Sequence, residues 1–86
     1  MRFYRSTIFK RRYKRLTQSI QKKVDTRLLL FAQNPYDPLL DNHKLHGKYS
    51  GCRSINVTGD YRIIFELSGD ECHLILIGSH AELYGT

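Results

Sequence analysis

The chain has 86 residues, a formal net charge of +6 and two cysteines, and this length suits a single domain with one modest core. No apolar run approaches the roughly 18 residues that a membrane-spanning helix needs, and the basic N-terminal segment lacks the apolar region of a secretory signal. We therefore expect a cytoplasmic protein with reduced cysteines, because disulfides belong mainly to exported chains.

Positive charge is concentrated in the first third of the chain. Residues 1–27 contain ten lysines and arginines and one acid, whereas from residue 28 onward there are four bases and seven acids. A solvated helix face usually mixes both signs, so this imbalance predicts a polyanion or an acidic protein as the partner. The residues expected to face such a partner are Lys10, Arg11, Arg12, Lys14, Arg15, Lys22 and Lys23.

Two helices are predicted after a short first strand at residues 2–5. Ser6 can cap the first helix, and the second begins near Thr17. Pro35 ends the second helix, because proline lacks an amide hydrogen and disfavours a helical residue before it. Apolar residues at spacings of three and four form one stripe along both helices, which we assign to the core. This stripe consists of Phe9, Tyr13, Leu16, Ile20, Val24, Leu28 and Phe31.

Three strands are predicted in the second half. Residues 34–51 read as an irregular connector, which is long for a small domain unless it is functional. From Cys52 the apolar period changes to two, and tight turns follow Val57 and precede Cys72. This pattern gives an antiparallel meander whose last strand, by simple alternation, places His73, Ile75 and Ile77 on one face.

The element order predicts an α+β fold, in which the short first strand and a two-helix hairpin precede a small antiparallel sheet and the helices cover one of its faces. The other face is then open for a ligand. Ser79 is expected to begin a short turn or helix that returns His80 and Tyr84 towards the sheet. The chain shows no internal repeat or boundary, so residues 1–86 are predicted to form one domain.

The stretch from His43 to Asp60 is poor core material, because histidine, arginine and aspartate are costly to bury unpaired. Zinc binding is not predicted, since no CxxC motif accompanies the histidines, and nothing places a thiolate beside a base for nucleophilic catalysis. Acid–base cleavage of RNA suits these residues better. The 2′-hydroxyl of RNA supplies the nucleophile, so the protein needs only proton-transferring groups and cations, without a cofactor.

Each candidate side chain has a possible task in such a cleavage. His43, His46 and His80 can transfer protons near neutral pH, and Asp60 can act as a base or orient an imidazole. Arg53 can bind a phosphate through two hydrogen bonds. Further substrate contacts are expected from Tyr49, Tyr61 and Tyr84, which can stack on unpaired bases, and from Asn56 and Arg62.

The spacing H-x-L-x-x-x-Y-x-G-x-R-x-x-x-V-x-x-D-Y at residues 43–61, with Gly-Ser-His at 78–80 and Leu-Tyr-Gly at 83–85, resembles the YafQ group of RelE-like toxins. The resemblance covers essentially the whole chain. It implies the toxin of a bacterial type II toxin–antitoxin module, an mRNA endonuclease that usually acts on the translating ribosome without metal. An antitoxin encoded beside it is the implied protein partner, and ribosomal RNA or the antitoxin would bind the basic helices.

Carried over by position, the resemblance assigns catalytic roles to His43, Asp60 and His80, with Arg53 on the phosphate and Tyr84 as the C-terminal aromatic. Asn56 departs from the pattern, because the group usually has a second histidine there and an amide transfers no proton. His46 or His80 would have to take over that task, or the activity is weak. Two alternatives are a ParE-like toxin that inhibits DNA gyrase without cleaving anything, and a non-catalytic RNA-binding relative.

Overall fold

The computed structural model describes residues 1–85, which form a five-stranded mixed sheet in the order β1-β5-β4-β3-β2. The strands are β1 (Arg2–Arg5), β2 (His43–Lys44), β3 (Arg53–Asn56), β4 (Tyr61–Ser68) and β5 (Glu71–Ser79). The helices are α1 (Thr7–Arg15), α2 (Gln18–Gln33) and α3 (His80–Tyr84), and short 3-10 turns lie at Pro38–Leu40 and Gly47–Tyr49. Among the described residues, no helix is long and apolar enough to cross a membrane.

The predicted helix boundaries are confirmed. The Ser6 hydroxyl accepts a hydrogen bond from the Phe9 amide at 2.9 Å, and the Thr17 hydroxyl accepts one from the Ile20 amide at 3.3 Å. Each cap satisfies an amide that the first helical turn leaves unpaired. The second helix ends at Gln33, and its C-cap residue Asn34 directly precedes Pro35.

The two long helices cover one face of the sheet, as predicted. Their stripe contributes Phe9, Val24 and Phe31 to a fully buried cluster with residues of the three meander strands. The ring of Phe31 meets that of Phe65 edge to face, with 4.9 Å between their centroids, a favourable geometry for two aromatic rings. The complete cluster is Phe9, Val24, Phe31, Leu40, Ile55, Val57, Ile63, Phe65, Cys72, Leu74 and Ile77.

The α+β fold class is confirmed, but the sheet is larger than the predicted meander. β1 pairs with β5 in parallel, because the edge of β5 would otherwise leave its main-chain groups unpaired. β2 pairs with β3, with His43 opposite Ser54, so the connector at 34–51 contains a short strand that its prolines and polar residues concealed. The sheet is therefore mixed, with one parallel pair.

The predicted alternation along β5 is wrong because the strand contains a bulge. Ile64 pairs with Leu76 whereas Phe65 pairs with Leu74, which leaves Ile75 as an extra residue. An extra residue shifts the side-chain phase of everything beyond it, so Leu74 and Ile77 both reach the core. His73 therefore does not share a face with Ile77. The Ser6 hydroxyl donates to the Ile75 carbonyl at 2.6 Å, which ties α1 to the bulge.

Both cysteines are free thiols. Cys72 is fully buried in the core, where burial raises the pKa of its thiol to about 12. Cys52 is only half-buried, and burial followed by the nearby charge of Glu66 raises its pKa as well. The structure therefore shields the Cys72 thiol fully from solvent and the Cys52 thiol in part.

Candidate active site

The second face of the sheet carries an open cleft of about 400 Å³. β2 and the residues after it form one wall, α3 forms the other, and β4 contributes Arg62. The lining residues are His43, Lys44, Leu45, His46, Arg62, His80 and Tyr84. Five of the predicted site residues, three of them histidines, are thus brought together from segments that are far apart in the sequence.

Strand pairing explains why these segments meet. His43 on β2 lies opposite Ser54 on β3, and Asn56 at the end of β3 lies opposite Arg62 on β4. Tyr61 at the start of β4 lies opposite Ser79 at the end of β5, so α3 begins beside the same edge of the sheet. The antiparallel register therefore places β2, which carries His43, and the start of α3 on either side of Arg62.

Asp41 contacts both His43 and Arg62. The carbonyl oxygen of Asp41 lies 2.9 Å from Nδ1 of His43 and accepts a hydrogen bond from Arg62 Nη2 at 2.9 Å. Its carboxylate Oδ2 lies 3.4 Å from Arg62 Nη1 and 3.8 Å from His43 Nδ1. One residue thus connects a candidate base with a candidate phosphate ligand.

Arg62 is held in the sheet by a further contact. Its Nε donates a hydrogen bond to the hydroxyl of Ser54 at 2.5 Å. Ser54 is a polar residue that is fully buried. The Arg62 side chain is only 15% exposed. A guanidinium fixed on one side in this way is positioned to bind an anion with its remaining hydrogens.

His80 and Tyr84 are presented by α3, whose N-terminus is capped reciprocally. The Ser79 hydroxyl accepts from the Glu82 amide, and the Ser79 amide donates to the Glu82 carboxylate at 2.8 Å. That backbone hydrogen bond is the main cause that lowers the pKa of Glu82, and Arg12 and Arg15 lower it further. The capped turn places the rings of His80 and Tyr84 next to each other, 4.7 Å apart.

The remaining polar candidates lie around this cleft. Asp60 is in the turn before β4, and its carbonyl accepts a hydrogen bond from the His80 amide at 3.0 Å. Asn56 shares the open face with Ser54, because alternate residues of a strand point to the same side. Tyr49 donates its hydroxyl hydrogen to the Leu83 carbonyl at 2.9 Å and meets the ring of Tyr84 edge to face. Tyr49 therefore supports α3, and its base-stacking role stays a prediction.

Arg53 is not among the residues brought together in the cleft. It pairs with Phe65 and lies two positions before the buried Ile55 on the same strand. Its side chain therefore points to the same face as Ile55, which the helices cover. Its Nε donates to Asn42 Oδ1 at 2.8 Å, and its guanidinium stacks over the ring of Tyr36 at 5.6 Å. These contacts attach the connector to the sheet. Arg62, predicted as a secondary substrate contact, is the arginine that lines the cleft.

The basic side chains of the helices remain on the surface, except that Arg12 of α1 and Arg27 of α2 are half-buried. Lys10, Arg11, Lys14, Arg15, Lys22 and Lys23 are all exposed. Arg12 is half-buried, and its Nη1 donates to the Ile77 carbonyl at 3.3 Å. Arg12 therefore contributes to the attachment of α1 to the sheet as well as to the basic surface.

Sequence reasoning missed Asp41 and Lys44. Asp41 has a left-handed backbone with φ of 46°, a conformation that aspartate and asparagine tolerate better than most residues. The Asp41-Asn42 dipeptide directly before His43 was the sequence signal that could have predicted a left-handed turn next to this histidine. Lys44 was hidden because its position depends on a two-residue strand that local patterns do not reveal.

A comparison with models of protein families identifies one family. The family model described as "Bacterial toxin of type II toxin-antitoxin system, YafQ" matches residues 1–85. A comparison with curated protein sequences gave no match.

Solved structures share the fold. The crystal structure of YafQ from E. coli is 24% identical, with a TM-score of 0.79 over 99% of this chain and 100% of that one. The YoeB/ParE toxin from Agrobacterium tumefaciens is 19% identical, with a TM-score of 0.79 over 93% and 99% of the two chains. The E. coli DinJ-YafQ toxin-antitoxin complex contains a chain that is 23% identical, with a TM-score of 0.71 over 96% of each.

Proposed function

The chain belongs to the YafQ family of toxins of bacterial type II toxin–antitoxin systems, and on this basis we propose that it is an endoribonuclease that cleaves messenger RNA by acid–base catalysis. The observation that carries the proposal is the convergence of His43, His80 and Arg62 on one open cleft. The two imidazoles can transfer protons and the guanidinium can bind a phosphate, and these are the groups that cleavage by the 2′-hydroxyl requires.

In the proposed reaction, His43 removes the proton from the 2′-hydroxyl. The 2′-oxygen then bonds to the adjacent phosphorus, and the bond from phosphorus to the 5′-oxygen breaks. His80 donates a proton to that 5′-oxygen, so the products are a 2′,3′-cyclic phosphate and a 5′-hydroxyl. The hydrogen bonds of His43 support this division of roles. Its Nδ1 faces a carbonyl oxygen, which leaves Nε2 of the neutral ring with the lone pair of a base.

Arg62 replaces Arg53 as the proposed phosphate ligand. It lines the cleft beside His43, whereas Arg53 is engaged with Asn42 and Tyr36 on the other face. Charge develops on the phosphate oxygens during the reaction, and a cation that is already fixed in place stabilises it without reorganisation. Lys44 adds a second positive charge to the wall of the cleft.

The other site residues are proposed to position the RNA. Tyr84 can stack on a base next to the scissile phosphate, and His46 lies in the same wall as His43. Asn56 can donate to a phosphate or a 2′-hydroxyl but cannot transfer a proton. Asp60 is proposed to support His80, whose amide it already binds. No metal or other cofactor has a part in this scheme.

Two macromolecular partners are proposed. The exposed lysines and arginines of α1 and α2 suit ribosomal RNA, as expected for cleavage on the translating ribosome. The same surface suits an acidic or amphipathic segment of an antitoxin, and the E. coli YafQ relative has been crystallised in a toxin–antitoxin complex. Co-purification of the two proteins at high salt tests the second partner, because a purely electrostatic complex would dissociate there.

Induced expression of the chain and of single-site variants tests the enzymatic activity. The wild type should arrest growth, and transcripts mapped by primer extension should show new 5′ ends. His43→Ala and His80→Ala should each lower cleavage by about 100-fold or more, as loss of a general acid or base does. His73→Ala is the matched control, because His73 pairs with Glu71 outside the cleft.

Two results would contradict the proposal. If His80→Ala were as toxic as the wild type, the role of His80 would be wrong. If transcripts stayed intact while DNA was damaged, the gyrase-inhibiting class of toxin would be favoured over the nuclease.

A further inference from the structure

We propose that Asp41 is a positioning residue that sets the tautomer of His43 and the orientation of Arg62 at the same time. The catalytic consequence of this inference rests on the proposed nuclease function, whereas its structural part does not. Asp41 is not among the residues that line the cleft, and its effect is assigned to the two cleft residues that it holds.

The main-chain carbonyl of Asp41 determines the tautomer. It lies 2.9 Å from His43 Nδ1, closer than Arg62 Nη2 at 3.3 Å, and a carbonyl oxygen can only accept a hydrogen bond, so the shorter contact places the hydrogen on Nδ1. The approach of Arg62 Nη2 to the same nitrogen, at 3.3 Å, is not a hydrogen bond, since both groups are then donors. Arg62 instead donates to the second lone pair of the same carbonyl oxygen, at 2.9 Å.

The side chain of Asp41 contributes a separate effect. Its carboxylate lies 3.4 Å from Arg62 Nη1 and is 68% exposed. An exposed ion pair of this kind adds little to the free energy of folding, but it restricts the direction of a guanidinium that Ser54 already holds at Nε. The consequence is orientation of the phosphate ligand.

The backbone conformation connects these two effects. Asp41 has φ of 46° and ψ of 52° at the end of the Pro38–Leu40 turn, and its amide donates to the Pro38 carbonyl. Leu40, the residue before it, is fully buried and anchors the turn. Only a residue that tolerates the left-handed region can direct this carbonyl at His43 without strain.

Three substitutions separate the backbone effect from the carboxylate. Asp41→Asn and Asp41→Gly both tolerate the left-handed backbone, so the carbonyl stays and the charge is lost. Asp41→Val is strained at a positive φ because it is β-branched, so the carbonyl should turn away from His43. The matched control is Gly69→Val, which creates the same strain at φ of 59° in the turn between β4 and β5, far from the cleft along the sheet.

The tautomer of His43 is read from long-range proton–nitrogen NMR correlations of the purified chain at a pH where the ring is neutral. The wild type, Asp41→Asn and Asp41→Gly should show hydrogen on Nδ1. Asp41→Val should show a mixture of both tautomers, and Gly69→Val should match the wild type. Hydrogen on Nε2 in the wild type would overturn the proposal, and so would an unchanged tautomer in a folded Asp41→Val. If Asp41→Val fails to fold, the tautomer of His43 in the wild type still tests the proposal. Asp41→Gly then tests whether the main-chain carbonyl sets the tautomer without the carboxylate.

Cleavage of messenger RNA in a translating extract gives the second readout. Asp41→Asn should raise the RNA concentration needed for half-maximal rate by up to about fivefold, because only an exposed ion pair that orients Arg62 is lost. Asp41→Val should lower the maximal rate by about tenfold, less than removal of the general base, because only part of the His43 rings then present a basic Nε2 and the ring is no longer held in place. Equal rates for all variants would overturn the positioning role. A wild type with the expected tautomer but no cleavage would instead contradict the nuclease function and leave the structural role intact.

Discussion

The amide of His80 donates a hydrogen bond to the carbonyl oxygen of Asp60, with 3.0 Å between nitrogen and oxygen. Next to this bond, Tyr61 pairs with Ser79, so β4 begins where β5 ends. The turn that carries Asp60 and the helix that carries His80 are therefore joined through their main chains. Substitution of the Asp60 side chain leaves this main-chain hydrogen bond in place. A loss of activity on such a substitution therefore reports on the carboxylate and not on the link between the turn and the helix.

Arg62 and Arg53 should differ sharply when each is replaced by alanine. Arg62→Ala should lower the specificity constant for RNA cleavage by about 100-fold or more, because it removes a fixed donor from the developing phosphate charge. Arg53→Ala should cleave nearly normally and lose about 0.5 to 1 kcal/mol of stability through its stacking on Tyr36. Cleavage assays and thermal unfolding of both variants provide the measurement. The opposite ranking in cleavage would return the phosphate contact to Arg53.

Asn56 is expected to contribute to binding and not to proton transfer. Asn56→Ala should therefore lower cleavage by less than His80→Ala does, since an amide offers a hydrogen bond but no titratable proton. Asn56→His restores the residue type that the YafQ-like pattern has here, and we expect it to raise the rate. Parallel assays at one RNA concentration compare the three variants. A loss on Asn56→Ala equal to that of His80→Ala would show that the amide has a more direct part in the reaction.

The stability of α3 should decrease at acid pH through Glu82. The Ser79 amide and then the charges of Arg12 and Arg15 lower the pKa of this carboxyl in the folded chain. A lowered pKa gives stability that is present above the unfolded value of about 4.3 and is lost as the pH falls through the folded value. Thermal unfolding between pH 6 and pH 3 measures it against Glu82→Gln, which keeps the reciprocal cap but has no charge.

The expected result is a difference in Tm between wild type and Glu82→Gln that favours the wild type at pH 6 and disappears towards pH 3. A constant difference over this range would mean that the charge of Glu82 does not stabilise the cap.

The two cysteines should react with an alkylating reagent at very different rates. At pH 8 a thiol with a pKa of about 12 is almost entirely protonated, and only the thiolate is a nucleophile. Cys72 should therefore be modified at least about tenfold more slowly than Cys52 in the folded chain, because it is both more deeply buried and less ionised, and both should react in denaturant. The variants Cys52→Ser and Cys72→Ala isolate each thiol for mass spectrometry. Equal rates in the folded chain would contradict the buried position of Cys72 in the core.

Local sequence signals predicted the helical half of the fold well. Ser6, Thr17 and Pro35 set the helix ends by local hydrogen bonding and backbone sterics, which do not depend on the rest of the chain. The apolar period along α2 likewise indicated its buried face. The same kind of signal failed at Ile75, because a bulge arises from how two strands fit each other and not from the residues of one strand.

The sequence by itself determined the fold class, the family and the set of histidines, because periodicity, caps and motif spacing are local properties of the chain. Only the tertiary structure decided which arginine enters the cleft. The sequence favoured Arg53 as the phosphate ligand, but strand alternation and register turn Arg53 towards the helices and Arg62 towards His43. The contacts of Asp41 with His43 and Arg62 were also beyond the sequence, since they require a left-handed turn and two strands to meet at one carbonyl oxygen.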